Sequence, residues 1–135
     1  MNIRPAVFLV TILATSGAAA ISPGDASARE QRTISGWTVH VSRQLLAPDA
    51  TATERALAQL KTMLDEIVRV VPKPALIELQ KVPLWINPEY PGVRPRAEFH
   101  PDAGWLKDNG RDPAMEKAVE FTNVRIFEEE TRRMP

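Results

Sequence analysis

An α+β fold, with a small mixed or antiparallel sheet packed by one long amphipathic helix, is what the sequence predicts for residues 34–135. Three observations carry that expectation. Residues 34–42 and 117–121 alternate apolar and polar side chains with period two, as half-buried strands do. Residues 51–71 hold an apolar stripe at helical spacing, with neither Gly nor Pro before Pro72. Pro83, Pro88, Pro91, Pro95 and Pro101 break up the stretch that follows, which limits regular structure there to short pieces.

The chain starts with a short basic segment ending at Arg4, an apolar run over residues 6–14, and small residues from Ser16 to Ala20. This is the pattern of a secretory signal peptide over residues 1–20, with Ala28 as an alternative cleavage point. The apolar run is much shorter than the roughly 20 residues a bilayer span needs, so no stable membrane span is expected. Export to the periplasm or the exterior is the expected localisation. Residues 21–33, rich in Ser, Gly, Asp, Arg, Glu and Gln, read as a polar linker.

In the strand at residues 34–42, Trp37, Val39 and Val41 share the face expected to be buried, while Thr38, His40 and Ser42 share the other. Thr51 and Glu54 have the spacing of a capping box, and Leu57, Leu60, Leu64, Ile67, Val68 and Val71 then line one side of a helix of about five turns. Arg55, Lys61, Asp65, Glu66 and Arg69 fall largely off that stripe, and their mixed sign suits solvent rather than a membrane surface. Residues 75–80 allow one or two more helical turns, and Leu84 to Asn87 read as a short strand. A long ordered loop follows, and residues 97–100 add a strand at the margin of the sheet, where flanking prolines are tolerated. Asn109-Gly110 marks a turn, residues 117–121 a strand, and Thr122-Asn123 offer cap oxygens to a helix over residues 124–131 that ends in basic residues.

Composition excludes several function classes. Lys plus Arg number 17 and Asp plus Glu 17, so the chain lacks the basic surplus that nonspecific nucleic-acid binding requires. With no cysteine there is no disulfide, thiolate nucleophile or sulfur-ligated metal. The two imidazoles, His40 and His100, sit in no nucleophile-elbow context. Together with Asp102 or Glu98 they would meet the ligand count for zinc, but their spacing does not favour it, and a surface residue and a loop residue are the plainer expectation. Residues 108–112 resemble a calcium loop only until the alternation of ligands fails, which leaves a turn with exposed charges even though Glu116 stands six residues after Gly110. Glu128, Glu129 and Glu130 spread around a helix and read as a solvated face. Trp37, Trp85 and Trp105 lie in unrelated segments and read as core rather than as a carbohydrate platform.

Two stretches carry a resemblance. Residues 82–92 (Val-Pro-Leu-Trp-Ile-Asn-Pro-Glu-Tyr-Pro-Gly) and the segment from Glu98-Phe99-His100-Pro101-Asp102 through Val119-Glu120-Phe121-Thr122-Asn123 resemble secreted bacterial zinc metallopeptidases related to the anthrax-lethal-factor-like catalytic fold, in the part preceding the active-site helix. The resemblance covers roughly residues 34–135 and implies an incomplete zincin-like domain. In that family a segment similar to Arg132-Arg133-Met134-Pro135 leads into a helix with His-Glu-x-x-His, whose histidines bind zinc and whose Glu is the general base. That motif is absent from the 135 residues, so no catalytic, cofactor or metal position carries over. The resemblance therefore implies the scaffold and substrate-cleft half of a hydrolase, truncated and inactive alone, with zinc expected only if the chain continued into the motif. A peptide or protein substrate is implied for the longer form. Its edge strand is placed at Ala118, Val119, Glu120, Phe121 and Thr122. The alternative of another class is a complete secreted noncatalytic α+β binding domain.

Overall fold

A computed structural model describes residues 28–134, which form a five-stranded mixed sheet with four α-helices. The expected signal peptide lies outside the described residues. The strands are β1 (Arg29–Ile34), β2 (Trp37–Ser42), β3 (Leu84–Ile86), β4 (Ala97–His100) and β5 (Ala118–Phe121). The helices are α1 (Ala50–Val70), α2 (Lys73–Leu79), α3 (Ala103–Asp108) and α4 (Phe127–Arg133). Across the sheet the order is β1-β2-β3-β5-β4; β2, β3 and β5 run parallel, and β1 and β4 close the two margins antiparallel to their neighbours. Among the described residues no helix is long and apolar enough to cross a membrane.

Regular structure thus begins inside the stretch read as a polar linker, because Arg29–Ile34 pair along their whole length with β2. Ser35 and Gly36 join the two strands with φ of +51° and +94°, the left-handed backbone that a two-residue hairpin turn requires. Any larger residue at Gly36 would also strike Gln80, whose amide lies 2.2 Å from the position of an added Cβ and donates to the Ser35 carbonyl.

One face of the sheet is apolar. Trp37, Val39, Val41, Leu84 and Ile86 pack against Leu57, Leu60 and Leu64 of α1, with Val124 and Phe127 completing the core. The stripe read from the sequence is the one buried, although it fades at its C-terminal end, where Val68 is 40% exposed. The Thr51–Glu54 capping box does not form. Helix α1 begins two residues earlier, at Ala50 with Asp49 as its N-cap, and Glu54 instead pairs with Arg32 of β1. Trp37 donates its indole N–H to the Leu79 carbonyl at 3.1 Å, which fastens α2 to the sheet.

The opposite face is polar along one continuous rung, since register places Gln31, His40, Trp85, Glu120 and Glu98 side by side across the five strands. A second layer made of α3 and the 3-10 turn Pro113–Met115 covers part of it, through a smaller core of Trp85, Leu106, Met115 and Ala118. The final helix is shorter than expected, because residues 124–126 form a 3-10 turn before α4.

Leu60 is 3% exposed at the centre of the α1–sheet contact. Leu60→Ala is therefore expected to cost about 2–5 kcal/mol of unfolding free energy, read by denaturant titration, whereas Met63→Ala on the exposed side should cost much less.

Candidate functional site

The chemistry-bearing side chains converge on Glu120, in the middle of β5 and 1% exposed. A carboxylate buried to this degree needs donors on both oxygens. Oε1 accepts from Asn87 Nδ2 at 2.7 Å and from the Tyr90 hydroxyl at 2.6 Å. Oε2 accepts from His100 Nε2 at 2.8 Å and from Arg111 at 3.2 Å. An ionised carboxylate can only accept, so this contact is a hydrogen bond in the tautomer that carries its proton on Nε2 of His100.

Each donor comes from a different local device. Asn87 follows directly on β3, and its main-chain N–H is held by the Phe121 carbonyl. Tyr90 reaches in from the proline-rich loop. His100 ends β4, and its ring stacks on Trp105 of α3 with centroids 5.7 Å apart. Arg111 follows Gly110, whose φ of +66° turns the chain back after α3. The Arg111 guanidinium lies over the rings of Tyr90 and Trp105, 4.5 and 5.1 Å from their centroids. It also donates to Glu98 at 2.9 Å, so that one cation bridges two carboxylates standing directly opposite each other on β4 and β5.

A second group lies beside it. Arg29 donates to the side-chain amide oxygen Oδ1 of Asn87 at 2.6 Å, pairs with Asp112 and sits over Trp85. His40 packs tilted on the Trp85 ring with centroids 4.7 Å apart, and burial, reinforced by the Arg29 charge, lowers its pKa.

Several sequence expectations change at this point. Residues 118–121 do not form a sheet edge: β5 is hydrogen-bonded to β3 on one side and β4 on the other, so its main chain has no open flank for a substrate strand. Thr122, one residue on, donates its N–H to the Arg96 carbonyl. The margins of the sheet are β1 and β4. His100 is a buried network residue rather than a loop residue. The turn at residues 108–112 does not expose all its charges, because Arg111 and Asp112 are buried. Trp37 and Trp85 belong to the cores, but Trp105 is 42% exposed and serves as a stacking surface. Glu129 is exposed and pairs with Arg133, while Glu130 takes a hydrogen bond from Asn123.

The described residues do not fit a zinc ion. They contain no group of three or more His, Asp or Glu side chains placed to hold a metal. His40 on β2 and His100 on β4 are separated by β3 and β5, about 14 Å at the usual strand spacing. Glu98 and Glu120 do converge, but the cation between them is Arg111, which a metal would have to displace.

The arrangement binds charge tightly within the fold. Burial and the neighbouring Glu120 carboxylate, which accepts its hydrogen bond, both raise the pKa of Tyr90. At Glu98 partial burial raises the pKa, but donation from Arg111 and Arg96 outweighs it and the net direction is down from 4.5. The depressed Glu98 contributes stability that is present above pH 4.5 and is lost as pH falls through its folded value. The raised Tyr90 contributes stability present below pH 10 and lost above it. Unfolding free energy measured across pH should therefore fall at both ends, and Glu98→Gln and Tyr90→Phe should flatten the acid and alkaline limbs respectively. Glu120→Leu leaves Arg111 and His100 without their shared acceptor, and a loss of about 3–5 kcal/mol is expected in denaturant titrations.

No protein-family model matches the chain, and neither a curated protein nor a solved structure matches it.

Proposed function

We propose that this is an exported protein whose residues 34–134 act as the sheet-and-helix scaffold of a zinc-metallopeptidase-type fold, and that the chain alone is not a peptidase. The observation that carries the reading is an unfinished face. Helix α1 covers β2 and β3, but beside β4 and β5 the same apolar side is left open as a groove of about 320 Å³, floored by Met63, Ala97, Phe121 and Phe127. Phe99, on the same face, is 52% exposed. A further helix packed there would complete the layer, and the resemblance implies one bearing the metal ligands.

The chemistry of the present residues supports the same conclusion. Both oxygens of the buried Glu120 carboxylate are taken by hydrogen bonds from Asn87, Tyr90, His100 and Arg111, which leaves neither oxygen free to activate water. The reading of a noncatalytic binding domain is favoured by the second, smaller core, which closes over part of the polar face independently of α1.

Elemental analysis and peptide-cleavage assays on the purified chain test the proposal. Zinc well below one equivalent and no cleavage are expected. Stoichiometric zinc together with peptide hydrolysis would overturn it. Sequencing the source locus beyond the codon for Pro135 in all forward frames separates the two readings, since His-Glu-x-x-His is expected there only under the first.

A further inference from the structure

The outer margin of the sheet at β4 combines unpaired main chain with exposed apolar side chains. Thr122 donates to the Arg96 carbonyl, and the alternation of an antiparallel ladder then turns the N–H and C=O groups of Ala97 and Phe99 away from β5, toward the outside of the sheet. An edge of this kind is a template for another strand. The edge is short and carries two charges, but two of its side chains are apolar and open to solvent. Ala97 and Phe99 are exposed on the apolar face, while Arg96 and Glu98 alternate with them on the other.

From this pattern we infer that β4 is a self-association edge, at which two copies of the chain pair antiparallel about a two-fold axis through Ala97. The inference does not depend on the metallopeptidase reading. Charge decides the register. Centred on Ala97, the pairing sets Arg96 of each copy directly across from Glu98 of the other, which is favourable twice over by symmetry. Centred on Glu98, it would oppose the two Glu98 carboxylates. The Ala97 register also closes a reciprocal pair of main-chain bonds between the two Ala97 residues and lets each Phe99 N–H reach the Pro95 carbonyl of the other copy. Phe99 then packs on the Pro95 ring of the second copy, on the face that α1 leaves open.

Glu98 is fixed for this role by Arg111, and Arg96 already reaches Glu98 within its own copy at 2.9 Å, so the second copy adds a cation to a carboxylate that is in place. The strand is only four residues long and lies between Pro95 and Pro101, which limits the ribbon and calls for a weak, concentration-dependent dimer rather than a permanent one.

Sedimentation equilibrium of the full chain from about 10 μM to about 1 mM reads the outcome directly. A monomer–dimer equilibrium is expected. Ala97→Pro, which removes the central outward N–H, and Phe99→Lys, which replaces the apolar contact with Pro95 of the other copy by a charged group, should each return the chain to monomer with an unchanged circular dichroism spectrum. Phe99 is exposed in the single copy, so Phe99→Lys decides the matter even if Ala97→Pro fails to fold. A wild-type chain that stays monomeric through the whole range, or a dimer that survives Phe99→Lys, would overturn the inference. So would monomers that take up added extended peptides at β4 instead of each other.

Discussion

The carboxylate of Glu120 sits where a sheet ordinarily keeps an apolar or solvated side chain, and most of the polar half of the molecule is arranged around that fact. Placing an ion in the middle of an internal strand under a second layer is costly unless donors surround it and opposite charge offsets it. The fold supplies donors from β3's end, the proline-rich loop, β4 and the turn after α3. Of these segments β3 is also held by Leu84 and Ile86 in the main apolar core, and α3 by Leu106 in the smaller one. The proline-rich loop has little regular structure, and Tyr90 is its anchor to the sheet. The network is thus a structural hub first: it specifies where the irregular parts of the chain must lie, and any substitution at its centre is felt in all of them.

Arg111 decides the chemical character of the hub. Two carboxylates facing each other across an antiparallel pair would repel, or would attract a divalent cation. A guanidinium fills that role here with fixed hydrogen bonds and with aromatic faces at Tyr90 and Trp105. It occupies the place between the two carboxylates that a divalent cation would need. A cluster of Glu, His, Arg and Tyr that looks catalytic as an inventory therefore has its central carboxylate satisfied internally, with both Glu120 oxygens taken by Asn87, Tyr90, His100 and Arg111.

The apolar half was legible in the sequence and the polar half was not, for reasons that lie in particular residues. Leu57, Leu60 and Leu64 announce α1 through spacing alone, and Trp37, Val39 and Val41 announce the buried face of β2. Strand β1 escaped because Arg29-Glu30-Gln31-Arg32-Thr33 has the composition of a linker; what makes it a strand is its partner β2, together with a hairpin turn and the Arg32 pairs to Glu30 and Glu54. Glu120 escaped because alternation in Ala118-Val119-Glu120-Phe121 assigns it to a solvated face, and nothing local says that residues 103–116 fold over that face. The one available clue was the density of His, Trp, Asp and Arg between residues 100 and 112, a composition richer than a surface turn needs. Topology was the least legible feature. A strand that is last in the chain reads as a margin, yet β5 inserts between β3 and β4, and the margin falls to the strand before it.

That insertion links the two halves of the molecule. Because β5 is internal, Glu120 can be enclosed from both sides, and because β4 is then outermost, the open apolar face and the unpaired main chain fall on the same strand. Residues alternate along β4 between the hub and the open face: Glu98 and His100 turn to the network, Ala97 and Phe99 to the exposed side. A strand bound so firmly on one face by Arg111 and Glu120 loses little further conformational freedom when its outer edge pairs. The buried ion cluster therefore holds β4 in place from the interior, so that an edge pairing of two copies would start from a strand already ordered.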